Sequence, residues 1–162
     1  MVAFFIFALI WTIIATVRVL GNGIGGIDAP YYIYFFEHCN SSVYTDWMMH
    51  AGDDRLFKWI NQGIRHITAD YHVYFFCIYG FMAYVYLIFA KEFTPAKTSI
   101  VPYVLCFYLF LRSFNTIRSC LAIAFLMIAC LMMLKDKWIK AYIIAICSML
   151  VHKASIPFAL VI

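Results

Sequence analysis

Charge is what this 162-residue sequence has least of: Asp, Glu, Lys and Arg together supply 12% of it, against 66% apolar and 20% aromatic residues. A soluble chain of this length still leaves roughly 30% of its surface in water after folding and needs polar side chains to cover it. Too few are present, which excludes an ordinary water-soluble domain and points to lipid as the solvent. No C-x-x-C pair occurs among the six cysteines. Cys77, Cys106, Cys120, Cys130 and Cys147 lie inside apolar runs and read as small core residues, and Cys39 alone sits in a polar segment. Neither a disulfide framework nor a thiolate metal site is expected. His38, His50, His66 and His72 lack H-E-x-x-H or comparable ligand spacing, so no metal and no other cofactor is expected. The first apolar stretch lacks a basic leader and a small-residue cleavage site, which reads as a retained helix rather than a secretory signal. The net charge of +4 reports loop composition, and no nucleic-acid partner is expected.

What is present is a series of apolar runs. A bilayer core about 30 Å thick takes ~20 helical residues. On that measure the expected architecture is all-α, a polytopic transmembrane helical bundle of five or six membrane segments forming one integral membrane domain over residues 1–162. The expected spans are 1–20, 71–90, 99–117, 118–134 and 141–162, the last being either one helix broken at mid-depth near Pro157 or a reentrant pair. Residues 21–70 separate the first two spans and open on Gly21-Asn22-Gly23-Ile24-Gly25-Gly26, whose glycines mark irregular backbone. Within 53–68, Leu56, Phe57, Ile60, Ile64 and Ile67 recur at helical spacing opposite Lys58, Asn61, Gln62 and Arg65. That pattern predicts an amphipathic helix lying on the membrane surface.

Lysines set the expected orientation. Lys91 and Lys97 occupy one short loop, and Lys135, Lys137 and Lys140 another two spans later. The positive-inside rule puts both in the cytoplasm, and alternation then puts the N-terminus there too. The 21–70 segment, in which acidic residues outnumber basic ones, faces outward. The same parity places Arg112, Arg118 and Lys153 on the outward side, where the rule disfavours them, so they call for another explanation.

Three constellations offer one. In Arg112-x-x-Asn115-x-x-Arg118, successive members three residues apart would fan over roughly 120° of a helix face and converge on one anion. Guanidinium matches phosphate oxygens bidentately and keeps its charge where water is scarce. The competing reading is that both arginines cap helix ends and snorkel to lipid headgroups. His152-Lys153 interrupts an apolar run on the same side, pairing a proton carrier with a point charge, or else forming an ordinary turn. Asp28 precedes Pro30-Tyr31-Tyr32, an acid beside rings that would stack on sugar or, more commonly, belong to the interfacial aromatic belt with Tyr34, Trp47 and Trp59.

These residues resemble a known pattern, that of the EpsG family of Wzy-like exopolysaccharide polymerases. Gly26-Ile27-Asp28 followed by Tyr31 and Tyr32 looks like the family's G-x-D-x-x-x-Y segment. Asn115-Thr116-Ile117-Arg118 with Ala122 and Ala124 is similar to its N-x-[IL]-R-Q-x-[IL]-A-x-A helix start, and His152-Lys153-Ala154-Ser155 to its H-[KP]-[ST]-A element. Ser119 stands in place of the usual Gln, Ala154-Ser155 inverts the usual order, and Asp54-Arg55-Leu56-Phe57 stands where E-P-G-F is often found. No role is assigned around residue 54 on that account. Family members are about twice as long and this chain stops inside an apolar run, so it looks like a partial member.

The resemblance implies a multi-pass protein of the bacterial cytoplasmic (inner) membrane. Its activity would be a metal-independent glycosyltransferase that joins polyprenyl-diphosphate-linked oligosaccharide repeat units in exopolysaccharide, capsule or O-antigen biosynthesis. Membrane lipids and other polysaccharide assembly proteins are the further candidate partners. Charge accumulates on the departing diphosphate, where Arg118, with Arg112 or Lys153, would stabilise it. His152 or Asp28 would be the base, and Asn115, Tyr31 and Tyr32 complete the expected substrate-binding set. The competing classes are a transporter or flippase of anionic lipid-linked sugars, and a noncatalytic membrane subunit or truncated relic.

Overall fold

The computed structural model describes residues 2–17, 28–40, 54–93 and 101–161. The glycine-rich turn at 21–26, Arg18, Ile27, Trp47, His50 and Lys97 lie outside them. All regular structure among the described residues is helical: α1 (Val2–Val17), α2 (Ala29–His38), α3 (Arg55–Ile67), α4 (Tyr71–Glu92), α5 (Val101–Arg112), α6 (Ile117–Met133), α7 (Trp138–Val151), a 3₁₀ turn at Lys153–Ser155, and a short α8 (Ile156–Ala159). Two helix starts carry expected signals. Pro30 stands in the first turn of α2, where its missing N–H costs nothing. Asp70 caps α4, its carboxylate accepting the His72 N–H at 2.8 Å.

α4 is the centre of the molecule. Tyr74, Phe75, Ile78, Tyr79, Met82, Ala83, Tyr86 and Ala90 are buried along it, a stripe wide enough to face several neighbours at once. α1 runs antiparallel to it. Gly80 lies opposite Thr12, where an added Cβ would meet Thr12 Cγ2 at 3.5 Å, and the His72 ring contacts the Thr16 carbonyl at 3.2 Å. Thr12 and Thr16 are buried because their hydroxyls bond back into α1, to the carbonyls of Ala8 at 2.7 Å and Thr12 at 2.8 Å. On the other side, the Tyr79 hydroxyl donates to the Ser113 carbonyl at 3.3 Å and the Tyr86 hydroxyl to the Cys120 carbonyl at 2.7 Å. These two phenols tie α4 to the α5–α6 connection without leaving a polar tip stranded in the core.

α6 and α7 form an antiparallel hairpin. Ala122, Ala129, Ala141, Ala145 and Ser148 are its buried small residues, which let the two backbones approach closely; Ser148 Oγ donates to the Ala122 carbonyl at 2.9 Å. The hairpin turn is a Schellman closure with the Lys137 N–H on the Met132 carbonyl and the Asp136 N–H on the Met133 carbonyl, both 2.9 Å. Asp136 is left-handed there, at φ 56°.

Three expectations become more specific. Of the expected spans, Tyr71–Glu92 is the one described helix long and apolar enough to cross a membrane by itself; α5, α6 and α7 hold 12, 17 and 14 residues, short of the ~20 a bilayer core takes. The 141–162 stretch breaks at His152, whose extended backbone (φ −158°, ψ 118°) ends α7 before the 3₁₀ turn. The amphipathic periodicity of α3 faces protein, with Phe57 and Asn61 fully buried and Leu56, Ile60 and Ile64 packed on the core, while Ile67 is exposed. Asn61 therefore leaves the polar face assigned to it. Its amide nitrogen donates to the Phe57 carbonyl at 2.9 Å, which makes its burial tolerable.

Candidate functional site

Asp54 immediately precedes α3, the position where an aspartate ordinarily accepts hydrogen bonds from the helix's own first N–H groups. Here its side chain makes no such cap. The carboxylate turns inward and is wholly buried, and three donors from distant parts of the chain meet it. Arg118 Nη1 donates to Oδ2 at 2.8 Å, His152 Nδ1 lies 3.3 Å from the same oxygen, and the Lys153 N–H reaches Oδ1 at 3.3 Å. Burying a carboxylate is costly unless it is paired and hydrogen-bonded. This one is both, which explains why the capping role is given up.

Each partner is held by its own element. Arg118 is the second residue of α6, where the positive end of the helix dipole disfavours a cation; the Asp54 carboxylate offsets that repulsion. His152 takes its extended backbone at the end of α7. Its N–H bonds the Ser148 carbonyl at 3.1 Å, and its own carbonyl accepts from the Ser155 N–H at 3.0 Å and Ser155 Oγ at 2.9 Å. The break in the last apolar run is thus what turns the His152 ring and the Lys153 amide toward α3. The side chains of Arg118 and His152 each remain 20% exposed, so the cluster is buried at its carboxylate and open at the two side chains that hold it.

Tyr32, on α2, completes the cluster from the other side. It is 5% exposed and packs edge-on against Phe57 at 6.1 Å. Burial pushes its phenol above the ordinary tyrosine value, while the Arg118 guanidinium beside it, by charge and hydrogen bonding, pulls the other way; the Asp28 charge adds to the rise. At neutral pH Tyr32 is accordingly a protonated hydroxyl next to a guanidinium.

Among the residues singled out from sequence, Arg118, His152 and Lys153 gather at Asp54, and Tyr32 lies beside Arg118 with Asp28 within electrostatic reach. Lys153 joins through its backbone, and its side chain is exposed. Tyr31, which precedes Tyr32 on α2, is 56% exposed. Arg112 and Asn115 are exposed in the α5–α6 connection, where the Asn115 N–H bonds the Arg112 carbonyl at 3.1 Å. The helical fan drawn through residues 112, 115 and 118 is broken there, because turn residues 113–116 separate α5 from α6. Asp54, the hub, was missed. Its signal was an acid at a helix start, which capping explains equally well.

An arginine and a histidine held on one buried carboxylate, with a neutral phenol alongside, can bind an anionic oxygen and exchange a proton beside it. The EpsG family model matches residues 1–162, the whole chain. No curated protein and no solved structure matches.

Proposed function

From the premise that this chain belongs to the EpsG family, which is associated with membranes and with Wzy-like polysaccharide polymerases, we propose that it is a metal-independent glycosyltransferase. It joins polyprenyl-diphosphate-linked oligosaccharide repeat units in exopolysaccharide, capsule or O-antigen assembly. The observation that carries the reading is the convergence of Arg118 and His152 on Asp54, with Tyr32 beside Arg118, since these come from the segments that carry the polymerase-like motifs.

The acceptor hydroxyl of one repeat unit attacks the anomeric carbon of another. The new glycosidic bond forms as the bond from that carbon to the diphosphate oxygen breaks, and the electron pair leaves with the lipid diphosphate. Arg118 stabilises the developing charge, and His152 takes the hydroxyl proton. Exposed Arg112 and Lys153 gather the anionic headgroup from outside the cluster, and Asn115 and Tyr31 stand at its approach to hold sugar.

A multi-pass placement in the bacterial cytoplasmic membrane, N-terminus inside, agrees with the apolar outer faces. Ile6, Leu9, Ile10 and Ile13 on α1 and Ile139, Tyr142, Ile143 and Ile146 on α7 are all exposed, and such a continuous apolar surface needs lipid. Membrane lipids and other assembly proteins are the partners this location provides. The test is incubation of the purified full-length protein with a polyprenyl-diphosphate-linked repeat unit in vesicles. Growth of a sugar ladder supports the polymerase; translocation of the lipid without growth identifies a flippase, and neither result leaves a noncatalytic subunit.

A further inference from the structure

Asp54 does more than neutralise Arg118. A carboxylate at neutral pH only accepts hydrogen bonds, so the His152 nitrogen that faces it, Nδ1 at 3.3 Å from Oδ2, carries its proton. In the neutral ring the lone pair then belongs to Nε2. Arg118 shares the same carboxylate oxygen and the Lys153 N–H occupies the other, which holds the carboxylate in one orientation. The groups around the ring are Asp54 before α3, Arg118 on α6, Lys153 in the following turn and, beyond Arg118, Tyr32 and Asp28 from α2 and its start.

We propose that Asp54 is the positioning residue of this site: by holding Nδ1–H of His152 and one arm of Arg118 on a single buried carboxylate, it leaves Nε2 as the proton acceptor and aims base and guanidinium at one substrate. The proposal rests on the polymerase reading. The step it supports is balanced within that reaction: the acceptor hydroxyl proton passes to Nε2 as the acceptor oxygen bonds the anomeric carbon, and the diphosphate oxygen departs with its electron pair. Asp54 touches neither sugar nor diphosphate and acts through the two residues that do.

Asp54→Leu separates this role from simple packing. Leucine has nearly the shape of aspartate and no acceptor, so nothing holds the proton on Nδ1; the ring takes its preferred Nε2–H form and the base is lost. Nitrogen-15 spectra of histidine-labelled full-length protein, with the His152 signal assigned by its loss in His152→Gln, read the tautomer directly. The wild type should show Nδ1–H and Asp54→Leu should show Nε2–H. Its kcat should fall on the order of 10²-fold or more, while Asp54→Glu, which keeps the acceptor, restores part of the rate. Should Asp54→Leu fail to accumulate, Asp54→Glu carries both readouts: Nδ1–H with partial rate supports the proposal, and Nε2–H with full rate overturns it. A wild-type ring protonated at Nε2, or Asp54→Leu with full kcat, likewise overturns it. A wild type that builds no polymer but whose tautomer flips on substitution refutes the polymerase reading and keeps Asp54 as the positioning residue.

Discussion

Arg118 and Asp54, 64 residues apart in sequence, meet at 2.8 Å with the carboxylate wholly buried and the arginine side chain 20% exposed. The pair therefore has two consequences that are easily confused. Removing the arginine takes away a candidate diphosphate ligand, and it also leaves a buried negative charge facing the His152 ring and the Lys153 amide.

Arg118→Ala alone should destabilise the protein by about 3 kcal/mol, the lower end for breaking a buried pair because Arg118 keeps some solvent. The double variant Asp54→Ala/Arg118→Ala removes both charges, and its membrane abundance and thermal unfolding should recover relative to the single variant. Polymer formation should not recover. A double variant that regains both would make Arg118 a purely structural cation.

Arg118→Lys isolates the second consequence. Lysine preserves the ion pair but presents a point charge in place of a planar fork, so it cannot bond Asp54 and a diphosphate together in the same plane. Near-normal abundance with activity reduced roughly tenfold or more is expected by analogy with losing a preorganised donor. Full activity in the lysine variant would reduce the role of Arg118 to charge alone.

The Tyr32 phenol predicts an alkaline signature. Its folded value lies above 10.0 through burial, against the pull of Arg118. Between the unfolded and folded values the folded state holds more protons, so stability falls as pH rises through that window and is fully present below it. Tyr32→Phe removes this contribution. Denaturant unfolding of detergent-purified wild type and variant should therefore converge above about pH 10 relative to their difference at pH 8; an unchanged difference argues that the hydroxyl is solvated.

The helices were legible in sequence where periodicity and length agree. α4 and the α6–α7 hairpin follow directly from apolar runs bounded by Asp70, the Asn115-Thr116 turn and the Lys135-Asp136-Lys137 turn. The apolar side of α3 was legible through Leu56, Phe57, Ile60 and Ile64; what covers it was not, because one amphipathic stripe serves a membrane surface and a protein surface equally well. The hub of the site was hidden for a related reason. In Asp54-Arg55-Leu56-Phe57 the first and last positions keep the acid and the ring of the family's E-P-G-F, and these two are the buried ones; Arg55 is exposed and Leu56 half-buried. The changed residues in the middle drew attention to a departure, while the two positions that touch the core had kept their chemistry. Convergence of residues 54, 118 and 152 is a tertiary fact that no local spacing encodes.

The left-handed turn at Asp136 offers a stabilising substitution. A side chain at φ 56° crowds its own carbonyl, and glycine does not. Asp136→Gly should raise stability by about 0.5–1 kcal/mol, less than for a bulkier residue because Asp tolerates this region. Asp136→Val should lower it instead. Thermal unfolding of the two variants checks both signs, and equal effects would show that the turn does not limit stability.

The α6–α7 hairpin also makes the orientation testable. α6 has 17 residues and so is about 25 Å long; Arg118 lies in its first turn, and the Lys135-Asp136-Lys137 turn follows its end. The antiparallel return of α7 brings His152 back to the Arg118 end. Site and basic turn are therefore at opposite ends of one hairpin, close to a bilayer core apart. If lysines in short loops stay cytoplasmic, the site faces outward, where a lipid-linked sugar would be polymerised. Single cysteines at Lys137 and at exposed Ala154 test this in a background without native cysteines, with alanine replacing buried Cys39, Cys106 and Cys120 so that no polar atom is left in the core. A membrane-impermeant thiol reagent applied to intact cells should label position 154 and spare position 137 until the cells are opened. The reverse pattern would turn the hairpin over and put the Asp54 cluster in the cytoplasm, and labelling of both positions in intact cells would show that the hairpin does not cross the membrane at all.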